Sequence, residues 1–382
     1  MTLIVINFLL LTPLGVFTLM SENSRPQALT RSTVVDNKYR TDINSNLDDV
    51  TVPHYGDDPC ASYEPKMPDF RAPGRRISEV KCFEYVWKMK FLQVDEYRTI
   101  HCLIKKKRRK LIAGGSDADA GQFSHMGAIG WKALEGTWIF KCGASLISNT
   151  FMLTAAHCSR VTSKDTTVSD PVPKIVRLGG HSITDYDRVD IPATDVDIKR
   201  FISHPEYRPP RKYYDIALIE LTKEVRFEWM IHPACLQSNP IMDTYVPATV
   251  TGWGVIDLAT LRSSPILQVA RINLVESNDC NTKLRFGRNR NWKDGVVTHQ
   301  MCAGHMAGGI DTCMGDSGGP LQVNLNISQV TPDRFPWYIH RILGVTSFGY
   351  GCARANTPGV YTKVASFIDW IEENVWPDSG KV

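Results

Sequence analysis

The sequence contains no Cys-x-x-Cys pair. Tetrahedral zinc sites draw cysteine and histidine ligands from such tight spacings, so no metal or other cofactor is expected. Charge of one sign is not in excess either. The 44 Lys and Arg against 40 Asp and Glu leave only +4. That balance gives no global attraction to nucleic acid. Internal repeats are absent as well. Long apolar runs are missing beyond the first 20 residues, so no stable membrane insertion is expected. Even the first run, from Leu3 to Leu11, is interrupted by Asn7 and followed by Pro13. A membrane span needs about 20 apolar residues, so residues 1–20 read as a signal peptide instead.

What is present is an even number of cysteines, ten, spread widely along the chain. That pattern suits a disulfide framework formed in an oxidising compartment and places the protein outside the cell, secreted. The 382 residues exceed the usual single domain of ~100–250, so one sizeable domain with a smaller segment is expected. Residues 21 to about 80 are polar, with Asp57-Asp58-Pro59-Cys60 and Pro65, Pro68 and Pro73, and read as an irregular pro-segment. Residues 82–102 place Phe83, Tyr85, Val86, Trp87, Met89, Phe91 and Val94 at mixed helical spacing. The basic run Lys105 to Lys110 follows and reads as a solvated, protease-accessible linker. From Ile112 onward the character changes to short Val/Ile/Leu-rich strands between Gly, Pro and Asp turns, as in 174–178 and 248–252. This is an all-β pattern of barrel or sandwich type. A closing helix is expected after Ser366 as cap, with Phe367, Ile368, Trp370 and Ile371 on its apolar face.

Peptide hydrolysis without a metal requires a nucleophile, a base, an orienter for the base, and donors for the oxyanion. Gly315-Asp316-Ser317-Gly318-Gly319 surrounds a serine with residues small enough for backbone N–H groups to approach a tetrahedral intermediate. The N–H groups of Gly315 and Ser317 are the candidate oxyanion hole. Thr154-Ala155-Ala156-His157-Cys158 supplies an imidazole. Asp215-Ile216-Ala217-Leu218 supplies a carboxylate at the head of an apolar run, where burial is expected. Each alone is commonly structural. A histidine beside a cysteine, an aspartate before a strand and a glycine-rich turn are ordinary features.

These three segments, in the order His, Asp, Ser, resemble the chymotrypsin/trypsin family of serine proteases, as do 250–254 and 357–361. The resemblance runs from Ile112 to about Trp376. It implies a two-barrel protease domain over 112–382, with 21–111 as pro-segment and linker. It also implies His157 as general base, Asp215 as its orienter and Ser317 as nucleophile. By the same resemblance Asp311, six residues before Ser317, lies at the base of the primary pocket. A buried carboxylate there calls for a substrate Arg or Lys. Gly349 and Gly359 would form the pocket walls, and the backbone of Ser347 and Gly349 would pair with substrate. Phe348 stands where the family usually has Trp.

The family's cysteine positions imply the pairs Cys142–Cys158, Cys280–Cys302 and Cys313–Cys352. They also place Cys235 in a bond to the pro-segment, through Cys82 or Cys102. The cysteine left over would pair with Cys60. Family proteases are activated by a cut that frees an Ile-Val-Gly-Gly-type N-terminus, whose ammonium pairs with the Asp before the nucleophile. Here these match Ile112-Ala113-Gly114-Gly115 and Asp316, and the residue before the cut is Leu111. Cleavage after Lys110 would leave one residue too many, so an upstream protease that accepts Leu is implied.

Leu111, the linker 74–82 and the segment 207–214 resemble arthropod haemolymph clip-type cascade proteases of the snake-like subgroup. With three cysteines before Ile112, a complete six-cysteine clip is absent. The resemblance implies a step in an immune or developmental cascade, a downstream zymogen as substrate, and a serpin-type inhibitor. Asn326-Ile327-Ser328 is a glycosylation sequon. Asp185, Asp187 and Asp190 suggest a calcium loop, but Gly180 stands where a Glu ligand is usual, so no ion is expected.

Overall fold

A computed structural model describes residues 47, 49–56, 58–104, 118, 121–180, 182–183, 193–240, 247–257, 260, 262–308, 315–325, 327, 338–350 and 354–377. Two β-barrels dominate. The first closes in the order β1 (Met126–Lys132), β2 (Trp138–Leu146), β3 (Phe151–Thr154), β6 (Ala217–Leu221), β5 (Thr194–Ser203) and β4 (Ile175–Leu178). Closure removes every free edge, which is how an antiparallel sheet of this size avoids aggregation. Its interior is filled by fully buried Trp131, Leu146, Met152, Leu153, Val176 and Leu218.

The second barrel runs β13 (Pro320–Asn324), β8 (Pro247–Gly252), β11 (Gln268–Val275), β12 (Gln300–Gly304), β15 (Gly359–Lys363) and β14 (His340–Phe348). Pairing of β13 with β14 closes it, and the short β7 (Cys235–Leu236) adds to β14 in parallel. The pair β9 (Val255–Asp257) and β10 (Arg262–Ser263) stands apart as a small hairpin. Strands expected at 174–178 and 248–252 appear as β4 and β8, each within a residue at its ends.

Among the described residues, three α-helices complete the body: α1 (Ile77–Ile104), α2 (Ser277–Lys283) and α3 (Ile368–Val375). α3 drives Ile368, Ile371 and Val375 into the core of the first barrel. Ser366 does not cap it. Ser366 closes a preceding 3-10 turn, and its hydroxyl points to the Thr298 carbonyl at 3.5 Å, so Phe367 occupies the cap position. The apolar run Phe367-Ile368 is drawn into the core, and this sets where the helix can start.

α1 is about 42 Å long at 1.5 Å per residue. Its mixed spacing has a physical cause: it is covered on more than one side. Val80, Cys82, Tyr85, Val86, Trp87 and Met89 are buried. Cys82, Tyr85, Val86, Trp87 and Met89 form a cluster with Leu47 and Val50 from the preceding segment and with Cys235, Leu325, Ile327 and Ile339 from the barrel side. Lys90, almost fully buried, donates to the Val50 carbonyl at 2.7 Å. At the helix start Glu79 reaches back to the Arg76 N–H, and Glu372 of α3 accepts the Ser78 N–H at 3.1 Å. The Arg76 guanidinium also pairs with Asp369 and Glu372. Disulfides join Cys60 to Cys102 and Cys82 to Cys235. Of the two partners open to Cys235, it is therefore Cys82 that is bonded.

Candidate active site

Asp215 and His157 meet in the cleft beside the first barrel. His157 lies in a short 3-10 turn, Ala156–Ser159, that follows β3 directly. The Cys142–Cys158 disulfide ties this turn to β2. Asp215 ends the loop before β6 and is 2% exposed. Its Oδ2 lies 2.8 Å from His157 Nδ1, and its Oδ1 accepts the His157 backbone N–H at 2.9 Å. The carboxylate therefore fixes both the ring and the turn that carries it. The Ser347 hydroxyl donates to Oδ2 at 2.5 Å, and the Thr362 hydroxyl donates to the Asp215 carbonyl at 2.8 Å. Burial alone would raise the Asp215 pKa. The adjacent His157 and the hydrogen bonds from His157 and Ser347 outweigh it and hold the carboxyl below the ordinary carboxylate range.

Sequence reasoning assigned Ser347 only a backbone role, and it missed Thr362. Nothing local marks either residue, because both belong to second-barrel strands, β14 and β15, that reach Asp215 only once the barrels pack. Tyr207 is a further residue near this centre: burial and then the Asp215 charge raise its pKa.

Ser317 sits in the turn that leads into β13, between the barrels. Its carbonyl accepts the Gly143 N–H at 2.8 Å, while Gly318 N–H donates to Thr346 O and Thr346 N–H to Gly319 O. Thr154, three residues before His157, donates its hydroxyl to the Gly143 carbonyl at 2.8 Å. The serine turn is thus bolted to the strands that carry His157 and Ser347. Gly318 has φ +76°, and a Cβ there would fall on Thr154 Oγ1 and 2.6 Å from the Gly143 carbonyl. Only glycine fits this junction. Gly315 adopts φ +99° against the Gly254 backbone. The Asp316 carboxylate accepts the Gly254 N–H at 2.8 Å and lies against Gly252.

Phe348 pairs with Val360 across β14 and β15, so Gly349 and Gly359 flank the same rung. The Phe348 ring meets Trp292 edge to face at 5.4 Å and Tyr350 at 5.8 Å. An indole is therefore supplied here from another loop. The Cys142 and Cys158 sulfurs lie close to His157 but are joined to each other, so they offer no thiolate to a metal. Cys280–Cys302 links α2 to β12. Leu111, Ile112, Asp311, Cys313, Cys352, Asn326 and the acidic loop Asp185–Asp190 lie outside the described residues.

A His–Asp pair on one barrel, a glycine-bounded serine on the turn between barrels, and this strand order define a serine hydrolase of the two-barrel type. The trypsin family profile matches residues 112–371, and the chain belongs to that family of serine endopeptidases. Serine protease snk of Drosophila melanogaster is 37% identical over 311 residues, covering 78% of this chain and 65% of that protein. Serine protease Hayan of the same fly is 38% identical over 276 residues, covering 70% of this chain and 39% of that protein. The chain thus spans less than two thirds of the length of either. CLIP domain-containing serine protease C9 of Anopheles gambiae is 32% identical, covering 73% of this chain and 74% of that protein. Among the described residues, no helix is long and apolar enough to cross a membrane.

Proposed function

We propose that this chain is a secreted protease zymogen that, once cut between Leu111 and Ile112, cleaves protein substrates after Arg or Lys. The observation that carries the reading is the buried Asp215 carboxylate bonded to both the ring and the backbone of His157. With Asp215 ionised, Nδ1 keeps its proton and Nε2 is left as the base. Ser317 Oγ attacks the scissile carbonyl as its proton passes to Nε2. The resulting oxyanion is met by the N–H groups of Gly315 and Ser317. When the C–N bond breaks, the imidazolium returns that proton to the leaving amine. Water then repeats the cycle on the acyl-enzyme, releasing the acid and restoring Ser317.

Asp311 supplies the preference for a cationic side chain, and Gly349 and Gly359 leave room for it. Residues 1–20 are removed as signal peptide, 21–111 form the pro-segment, and 112–382 form the protease domain. The new Ile112 ammonium pairs with Asp316. Leu111 calls for an upstream protease that accepts leucine. The resemblance of Leu111, the linker 74–82 and the segment 207–214 to arthropod clip-type cascade proteases favours a place in an extracellular immune or developmental cascade, with a downstream zymogen as substrate and a serpin-type inhibitor. Cysteine usage supports an extracellular setting.

The test is to cut recombinant zymogen at Leu111–Ile112, confirm the new N-terminus by peptide sequencing, and assay peptides ending in Arg, Lys, Phe or Leu. Turnover of the Arg and Lys peptides alone, lost in Ser317→Ala, is expected. An N-terminus at Leu111 in active enzyme would refute the activation register. No turnover from correctly cut, folded protein would make the chain a non-catalytic protease homologue.

A further inference from the structure

Two exposed basic loops come together beside the site. The first carries Arg208, Arg211 and Lys212; the second carries Arg285, Arg288 and Arg290. They are far apart in sequence, yet they form one ridge. The Lys212 N–H donates to the Asn291 carbonyl at 3.0 Å. The Lys212 carbonyl accepts Gln300 Nε2 at 2.7 Å, and Gln300 Oε1 in turn accepts the Trp292 indole N–H. The Tyr213 hydroxyl accepts the Asp294 N–H, and the Tyr350 hydroxyl donates to the Gly287 carbonyl. Both loops are therefore pinned to the aromatic wall of Trp292, Phe348 and Tyr350.

The ridge adjoins the site through two covalent paths. Lys212 is three residues before Asp215, and Phe348 follows Ser347. Lys212 Nζ stands 5.3 Å over the Phe348 ring. An ammonium on an aromatic face keeps its full charge and still seeks an anion. Among the described residues none of these six cations is in an ion pair. Glu206 is engaged by the Tyr214 hydroxyl, Asp279 pairs with Lys283, and only Asp294 lies within the second loop. At the ridge crest Phe286 is 58% exposed, packed edge to face on Tyr350. An exposed aromatic with Arg285, Arg288 and Arg290 close to it in sequence has the composition of an interface core rather than of idle surface.

We propose that this ridge selects substrates by acidic residues in the few positions before the cleaved Arg or Lys, with Lys212 taking the carboxylate closest to the scissile bond. The proposal rests on the protease reading above and names the substrate class for that same site. A chain laid along Ser347–Gly349 brings its preceding side chains over Phe348, onto Lys212, and then along the arginines of the second loop. Opposite charge there raises the encounter rate and fixes the register of a protein substrate, while a basic segment is repelled.

The test uses enzyme whose new N-terminus is Ile112 and peptides ending in Arg, with Asp, Asn or Lys in the three preceding positions. Asp peptides should exceed their Asn counterparts in kcat/KM by about tenfold at low ionic strength. The gap should close in 1 M NaCl, where the Debye length is about 3 Å. Lys212→Gln should level the preference and Lys212→Glu should invert it. Arg288→Glu, more distant from the scissile bond, should weaken it at the outermost position. Equal turnover of Asp and Asn peptides overturns the proposal, as does a preference unmoved by these variants. Peptide indifference combined with charge-dependent retention on immobilised heparin also overturns it, and makes the ridge a polysaccharide surface. A blocked single-arginine amide separates the two layers. If wild-type enzyme fails on it, the protease reading fails, whatever the ridge does.

Discussion

The Ser347 hydroxyl donates to Asp215 Oδ2, the same oxygen that receives His157 Nδ1. The second barrel thereby helps set the charge state of a carboxylate on the first. Ser347→Ala removes one donor to an ionised group and should lower kcat/KM about tenfold. The carboxyl pKa, now held below its usual range, should rise. Activity requires the ionised form, so the acid limb of the pH–rate profile should move to higher pH. A profile identical to wild type would show that Ser347 merely packs. Asp215→Asn should cost far more, about 10⁴-fold in kcat, because it also loses the tautomer that leaves Nε2 free.

Among the described residues, three histidines are buried outside the site. His125 and His340 face each other at 5.2 Å, with Phe123 and Tyr338 around them, and His232 lies under Tyr85 and Phe227. Burial pushes His125 down to about 3 and His232 to about 4, and holds His340 well below its ordinary value. An unfolded histidine titrates near 6.5. Below that pH the unfolded chain binds protons that the folded chain refuses. Stability is therefore complete above about pH 6.5 and falls as pH drops toward 3–4, by up to about 1.4 kcal/mol per pH unit for each histidine. Thermal melts between pH 7 and 4 should show this decline. His340→Phe should make it shallower by one proton's worth, and an unchanged slope would mean that other groups govern acid sensitivity.

Gly318→Ala tests how tightly the serine turn is bolted to the first barrel. The new methyl meets both Thr154 Oγ1 and the Gly143 carbonyl, in a backbone conformation that L-residues rarely adopt. A cost of about 3 kcal/mol or more is expected, with loss of activity. Adding Thr154→Ala should not restore it, because the carbonyl clash remains. Recovery in the double variant would place the whole conflict on the threonine.

The Cys82–Cys235 bond closes a loop of sequence separation 153. Replacing both residues with Ser should destabilise the protein by about 2–5 kcal/mol. Chemical denaturation at fixed pH measures this. A midpoint within error of wild type would show that the packing of α1 and its Arg76 contacts suffice alone.

Much of the architecture was legible because its signals are local. The strands at 174–178 and 248–252 announce themselves as short runs between turns. His157, Asp215 and Ser317 each sit in a segment whose composition suits its role. Relationships across the barrels were not legible. Ser347 and Thr362 look like ordinary strand residues until the fold brings them to Asp215. Lys212 reads as part of a basic loop and gains meaning only when Phe348 arrives beneath it. The choice between Cys82 and Cys102 for Cys235 depends on which face of α1 meets β7, and the mixed apolar spacing of that helix conceals it. Ser366 shows the opposite failure: its local capping preference was overridden by burial of Phe367 and Ile368.

Glu372 accepts the Ser78 N–H across a separation of 294 residues. A ribosome adding about 5–20 residues per second takes roughly 15–60 s to travel that distance. Through that interval the leading turn of α1 waits for this acceptor, while the residues that cover its apolar flank, Cys235 to Ile339, are made before it. Among the described helices, the last to be synthesised therefore completes the start of the first.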